Sequence, residues 1–411
     1  VNTPLTRCGA LALVVCAATV AALQGMTTVS AFPAAADQPV GRPAGTAASP
    51  ASPASPAAVA AAASAVAATE ARTARAVAAS LADPGWRARV RSAALASHEV
   101  DLSALIAGDT APAGRRLTSE VTAADRRIAE AKGLDKSIGS LLRLRLGTQA
   151  MAAELDPGNV PLVAAAITDD KAATVTGYDA HGRGHTLNAR TAPRQAVYVV
   201  DIDVSKAAAA GMKLVSGTLN AAGVESDSVS GAAQATPRSA GAAHPADASG
   251  YWATKMDAVY LNDDEEPWVL GDAEIYSLVS GFGLDGTVRV DSVDMPYLDN
   301  DHHTYYPNQL IINWSNFKYD ALDLVMMESD SGTNYQQLAI ALADALLTIT
   351  DQGAYQPLVD AILNAIPSAW YSNDDDYVDS WYTITEQESG TIHGARGNGW
   401  MTVEPYWVSA L

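Results

Sequence analysis

Residues 261–276 read LNDDEEPWVLGDAEIY. Asp263, Asp264, Glu265, Glu266, Asp272 and Glu274 crowd one strand–loop–strand unit, with Trp268 among them. Three later stretches repeat the pattern: YLDNDHHTYY at 297–306, MESDSG at 327–332 and SNDDDYVDSW at 372–381. The acids gather at turn-forming positions, and the segments between them read as strands. Working outward, residues 251–261, 268–281, 286–298, 308–317, 321–328, 379–387, 390–397 and 400–410 form eight short runs separated by turn signals. That spacing predicts an antiparallel β-sandwich over 250–411. Residues 335–370 interrupt it with a helical period. Leu338, Leu342, Leu346 and Ile349 line one face, and Val359, Ile362, Leu363 and Ile366 line a second, on either side of Asp351-Gln352-Gly353. A helical hairpin inserted into the sandwich is the expectation.

Charge sets this region apart. From Gly250 to Leu411 there are 26 Asp and Glu against Lys255, Arg289, Lys318 and Arg396, a net of −22, whereas the whole chain is at −20. The excess argues against nucleic acid, whose binding depends on neutralising phosphates. It favours divalent cations or a basic partner. Seven of the eight Trp and thirteen of the fifteen Tyr also lie here, which places the main aromatic core in the same stretch.

The N-terminal half reads differently. Arg7, the apolar run Gly9 to Leu23 and Val29-Ser30-Ala31 have the layout of a cleaved secretory signal at 1–31. Secretion to the extracellular space follows, with no transmembrane anchor after cleavage. Both cysteines, Cys8 and Cys16, fall inside that segment, so disulfides, thiolate zinc sites and a cysteine nucleophile are not expected beyond it. Residues 32–64 are an Ala/Pro/Ser-rich linker with too little apolar surface to offset ordering entropy. A helical region at 65–156 comes next. Asp83-Pro84 is a cap followed by proline at the first helical position, Thr118 or Ser119 starts a second helix stopped by Gly133, and 136–155 (KSIGSLLRLRLGTQAMAAEL) is a third helix candidate. The arginines of that third stretch could meet an acidic surface of the same chain. A small β-unit at 157–205 includes a hairpin turn at Tyr178–Gly182. That turn places His181 and His185 as turn residues rather than as a metal pair. Residues 206–249 are read as a linker, with a short strand at MKLVSGTL. The fold class is therefore α+β: a helical region with a small β-unit, then an antiparallel sandwich carrying an inserted helical hairpin.

Calcium takes six to eight oxygen ligands, mainly carboxylates and carbonyls from loops. Crowded carboxylates with few basic neighbours repel one another, and a cation relieves that repulsion. The local pattern resembles the C2-type calcium-binding sandwich. Asp263 and Asp264 precede Gly271-Asp272-Ala273-Glu274-Ile275-Tyr276, in which Glu274 stands where that family has the aspartate of Asp-Pro-Tyr. Glu328-Ser329-Asp330 resembles its Asp-x-Asp, and Asp374, Asp375 or Asp376 its later aspartate. Glutamates replace aspartates, the proline is missing, and a helical hairpin splits the second loop. The candidate calcium ligands are Asp263, Asp264, Asp272, Glu274, Glu328, Asp330, Asp374 and Asp376. A second resemblance covers residues from about Pro161 to the C-terminus. DDEEPW, GDAEIYSLVSG, MPYLDND, YYPNQ and TNYQQL are similar to segments of an exported bacterial family known as domain of unknown function 3103. That resemblance implies a secreted bacterial protein and supplies no activity.

Common catalytic signatures are absent. His98-Glu99 continues as Val100-Asp101-Leu102, so there is no HExxH, and neither GxSxG nor GxxxxGK[ST] occurs. His302-His303 beside Asp299 and Asp301 is a lesser zinc alternative. The expected function is a secreted, non-catalytic calcium-binding module that recognises a cell-surface polymer or protein. The alternative is a secreted hydrolase of polysaccharide or peptide that uses carboxylates of the same loops.

Overall fold

Leu142, Leu144 and Leu146 alternate with Arg143 and Arg145, and this period of two makes the stretch a strand rather than the third helix expected there. It belongs to a computed structural model that describes residues 56–107, 112–167, 172–229, 250–262, 268–269, 274–298, 300, 302–329, 332–366 and 377–409. The expected signal segment and most of the expected first linker lie outside these residues.

Helix α1 (Pro56–Ser80) begins inside the stretch read as linker. Its long alanine run carries high intrinsic helix propensity, which overrides the linker-like composition. Helix α2 (Pro84–Ala96) starts as expected, with the Asp83 carboxylate accepting from the Gly85 and Trp86 N–H groups at 2.8 and 3.0 Å. Strand β1 (Glu99–Asp101), helix α3 (Leu102–Ala107) and helix α4 (Pro112–Ala131) follow. Helix α4 starts six residues before Thr118 and stops before Gly133, which sits at φ +68°.

Strands β2 (Leu142–Leu146), β3 (Leu162–Ala165), β4 (Thr174–Tyr178), β5 (Gly184–Asn188) and β6 (Val197–Ile202) join β1 in a six-stranded sheet of order β1-β2-β6-β3-β4-β5. Pairing is antiparallel except between β3 and β6. Every residue of β6 is buried, as an apolar central strand covered on both faces requires. The β4–β5 turn falls at Asp179–Gly182, and Asp179 accepts the His181 N–H at 2.9 Å, so His181 is a turn residue as read, whereas His185 lies in β5 opposite Gly177 with its ring 3.1 Å from the Asp179 carboxylate.

Helix α5 (Val204–Ala222) replaces the first part, 206–222, of the expected second linker. Asp203 caps its start, Gly223 at φ +98° ends it, and Ala207, Gly211, Met212, Val215 and Leu219 form its buried face. Small residues gave the stretch a linker's composition. In the fold they let another element approach the helix closely: the Tyr335 ring lies directly over Gly211. Residues 223–229 of that linker are described and end in a short strand, and residues 230–249 lie outside the described residues.

The C-terminal half contains β7 (Ser228–Val229), β8 (Gly250–Leu261), β9 (Ile275–Phe282), β10 (Val288–Met295), β11 (Thr304–Tyr305), β12 (Gln309–Asn313), β13 (Ala321–Glu328), β14 (Tyr377–Thr385), β15 (Gly390–His393) and β16 (Gly399–Ser409). All eight expected strands are present. One sheet runs β14-β13-β9-β10-β7, and the other runs β11-β8-β16-β15 with β12 also on β8. Met256, Val259, Met401 and Val403 of the second sheet meet Ile275, Val279, Leu324 and Met326 of the first in one core. The first sheet's opposite face, carrying Tyr276, Leu278, Val290, Val325 and Met327, is covered by helices. These include α5, α6 (Tyr335–Leu346) and α7 (Val359–Ala365). The inserted pair is thus as expected, with the second helix shorter than read.

That second core also takes in Leu81, Trp86, Ile128, Leu144 and Tyr198, so one apolar interior runs from the N-terminal helices through to Ile366. Arg289, one of the four basic residues of the acidic half, is buried and clamps β7 onto β10 through Glu225, Asp227 and Asp291. Among the described residues no helix is long and apolar enough to cross a membrane.

Candidate functional site

The register of the first sandwich sheet fixes where the acidic stretches attach. Ile275, the first residue of β9, pairs with Met295 at the end of β10 and with Glu328 at the end of β13. Met327 in turn pairs with Tyr377, the first residue of β14. The segments at 262–274, 296–303, 329–334 and 367–376 therefore all join the sheet at one end. Asp263, Asp264, Asp272, Asp330, Asp374 and Asp376 lie outside the described residues. Glu274 and Glu328 are described, and they mark the two sides of this end.

The Ser329 N–H donates to the Glu274 carbonyl at 2.9 Å, so the β9–β13 ladder continues one step past the strands. Side chains alternate along a strand. Glu328 therefore shares a face with Ile275 and Met326, toward the second sheet, while Glu274 shares the helix face with Tyr276. The contacts agree. The Ser205 hydroxyl at the start of α5 donates to the Glu274 carboxylate at 2.5 Å. The Glu328 side chain is buried, at 3 % exposure, at the mouth of the sandwich core. Glu274 and Glu328 leave the sheet on opposite faces, so an ion shared by both would have to sit beyond the strand ends. Among the described residues no group of three or more His, Asp or Glu gathers as a metal site. His302 and His303 are occupied by rings, edge-on to Tyr260 and to Tyr305 respectively.

On the helix side, the polar centre extends into the N-terminal half. Buried Arg145 pairs with Asp201 at 3.0 Å and donates to the Trp268 carbonyl at 3.3 Å, and the Trp268 ring packs on Gly147. An arginine of the N-terminal half thus reaches the segment that carries the first acidic cluster. Arg143 bridges Asp101 and Asp203. Glu99 lies beside this network with its carboxyl pushed up to about 7, first by desolvation and then by the charge of Asp201, although the residue as a whole is open to solvent. Buried Lys132 donates to the Thr333 carbonyl at 3.4 Å and lies 5.4 Å from the Tyr335 ring centre. The Tyr335 hydroxyl is hydrogen-bonded to Ser329.

Two buried carboxylates were not anticipated. Asp323, with no exposed surface, accepts from the Tyr355 hydroxyl and from the N–H groups of Leu358 and Thr383. It sits at a bulge where Leu322 pairs with Ile384 but Leu324 pairs with Trp381, and Thr383 is held there at φ +56°. A β-branched residue at positive φ is an outlier, and such strain persists only where surrounding structure holds it. Asp379, also fully buried, accepts from the N–H groups of Ser380, Arg396, Asn398 and Gly399 at 2.7–2.9 Å. The available signal was a charged residue at an inward position: Asp323 stands in ALDLVMME in the same alternation as Val325 and Met327.

The chain matches, over residues 74–410, the family described as protein of unknown function (DUF3103), and it belongs to that family. The match begins in α1, well before the Pro161 boundary of the sequence resemblance, and so takes in the N-terminal helices. No curated protein and no solved structure matches the chain.

Proposed function

We propose that the acidic end of the sandwich is a divalent-cation site, calcium by its oxygen-donor chemistry, serving recognition of a cell-surface polymer or protein rather than catalysis. The observation that supports this most directly is the shared row of strand ends at Ile275, Met295, Glu328 and Tyr377, from which four acid-rich segments depart. The Glu328 carboxylate on the inter-sheet face is the anchoring ligand in this reading. Glu274, bound to Ser205, is a strut of the loop and not a ligand. A loop-borne, oxygen-rich arrangement suits the flexible coordination of calcium better than the strict octahedron of magnesium.

Melting the chain after EDTA treatment, and again after adding calcium, tests the proposal. Calcium should raise the melting temperature of the wild type, because a ligand that binds only the folded state stabilises it. Glu328→Gln should lose most of that rise, and Glu274→Gln should keep it. If neither EDTA nor calcium moves the wild-type melting temperature, the cation reading is wrong. The same proposal places the protein outside the cell, on the pattern Arg7, Gly9–Leu23 and Val29–Ala31. An exported chain whose mass begins after Ala31 is the result expected.

A further inference from the structure

Along the side of the sandwich, a cleft of about 370 Å³ opens between β14 and β15, the edge strands of the two sheets. That volume lies within the range of small-ligand sites, roughly 300–1,000 Å³. Its lining includes Tyr382, Thr383, Glu388, Ile392, His393 and Ala395. Both walls are held by buried carboxylates. Asp323 fixes Thr383 in its strained conformation. Asp379 gathers the amides of the 394–399 turn, so that the Ala395 N–H donates to the Ser380 carbonyl at 2.7 Å. The cleft is therefore a shaped, preorganised feature.

Its chemistry selects a class of ligand. Glu388 is the one carboxylate in the lining, and no lysine or arginine lines it. The Glu388 N–H is bound to the Thr385 carbonyl at 3.0 Å, which places the carboxylate at the β14–β15 turn. The lining also includes Tyr382, 43 % exposed with its hydroxyl donating to Asp360 at 3.4 Å, and the apolar side chain of Ile392. An anion would meet carboxylate repulsion with no lysine or arginine in the lining to offset it. A group with an apolar stem and a cationic head suits this lining: the stem lies along Ile392 and the Tyr382 ring, and the head takes the Glu388 carboxylate. The surrounding −22 region would draw such a group in from solution.

We propose that this cleft binds a lysine or arginine side chain of a basic peptide segment. The Ser380 carbonyl of β14 accepts the Ala395 N–H at 2.7 Å and the Ile392 carbonyl of β15 accepts the Trp381 indole N–H at 3.3 Å, so the cleft takes a side chain rather than an added strand. This site is separate from the strand-end acids and does not depend on a bound metal.

Titration calorimetry of the full chain in EDTA at physiological salt tests it, with a Thr-Lys alternating pentapeptide as probe and its Thr-Gln counterpart as control. The lysine peptide should bind and the glutamine peptide should not. Glu388→Gln should weaken binding about tenfold, the loss of one charge-assisted hydrogen bond. Glu130→Gln removes one negative charge from the exposed face of α4 and should change affinity by less than about twofold, as a remote screened charge does. Tyr382→Ala should also weaken the peptide, and near-ultraviolet circular dichroism should show each variant folded. Equal effects of Glu388→Gln and Glu130→Gln would reduce the interaction to bulk charge and overturn the proposal. So would a lysine peptide that does not bind, or a neutral disaccharide whose binding needs Tyr382 but ignores Glu388.

Discussion

Substituting alanine for Gly211 tests how closely the N-terminal half is joined to the sandwich. Gly211 lies mid-way along α5, and in an isolated helix the change would stabilise by about 0.8–1 kcal/mol. Here the added methyl would sit 2.5 Å or less from Cγ, Cδ1 and Cδ2 of the Tyr335 ring. Carbon atoms pack at about 3.5–4.0 Å, so helix and ring would have to part by roughly 1 Å. Tyr335 has no exposed surface, its hydroxyl is bound to Ser329, and Lys132 lies near its ring, so the ring has nowhere to yield. Overpacking costs about 1–3 kcal/mol, and contacts of 2.3–2.5 Å to three ring carbons put this case at about 2–3 kcal/mol, which outweighs the helix gain. Gly211→Ala should therefore destabilise the wild type by about 1–2 kcal/mol once the helix gain is subtracted. In a Tyr335→Ala background the clash is gone, and the same substitution should stabilise by up to about 1 kcal/mol. The reversal is a double-mutant cycle with a coupling of about 2–3 kcal/mol. It is read by urea unfolding followed through tryptophan fluorescence and circular dichroism. A neutral or stabilising Gly211→Ala in the wild type, or the same sign in both backgrounds, would refute the close packing of α5 on α6.

Asp323→Ala leaves three donors without their acceptor and should cost about 3 kcal/mol or more, at roughly 1–3 kcal/mol for each buried donor, measured by urea unfolding. Asp351 has its carboxyl lowered to about 2, chiefly by the Lys318 ammonium and then by the Gly353 N–H and the Tyr319 hydroxyl. Its folded value is depressed, so its stabilisation is present above the ordinary carboxylate range and lost as pH falls through about 2. Asp351→Asn should be less stable than wild type at neutral pH, with the gap closing toward pH 2 in acid-unfolding curves. Glu99 runs the other way: its folded value is raised to about 7, so its contribution is present below about 4.5 and lost as pH rises through 7. Glu99→Gln should flatten the fall in melting temperature across that interval.

Most of the sandwich was legible because its strands obey a strict alternation bounded by turns. LDLVMM and WMTV declare their faces residue by residue. The attachment of the acid-rich segments at strand ends was legible too, because turn-forming acids between strands belong there, although six of the eight candidate ligands lie outside the described residues. The division between Glu274 and Glu328 was not. They are distant in sequence, and only the β9–β13 register reveals that they occupy opposite faces. Helix α5 was missed because four of its seven buried positions are Ala, Gly or Ser, whose composition matches a linker's while their spacing fits a closely packed helix. The LRLRL strand was missed by weighing leucine content above period. Asp323 and Asp379 were hidden for a different reason. A buried carboxylate is defined by the amides that converge on it, and those come from Leu358, Thr383, Arg396 and Gly399, remote positions that no local pattern connects.

The pairing of β8 with β16 carries a consequence for the order of assembly. Residues 250–261 find their central neighbour in residues 399–409, about 150 positions later, and β12 and β11 lie on the opposite edge of β8. During synthesis β8 must wait with one edge uncovered until almost the whole chain is made. Such distant pairing makes a late and slow folding step. An uncovered strand edge is also a template for pairing with another chain. A chain cut short before Gly399 would keep the first sandwich sheet's strands yet leave β8 open to its neighbours, and it should collect as aggregate rather than as a smaller soluble fold.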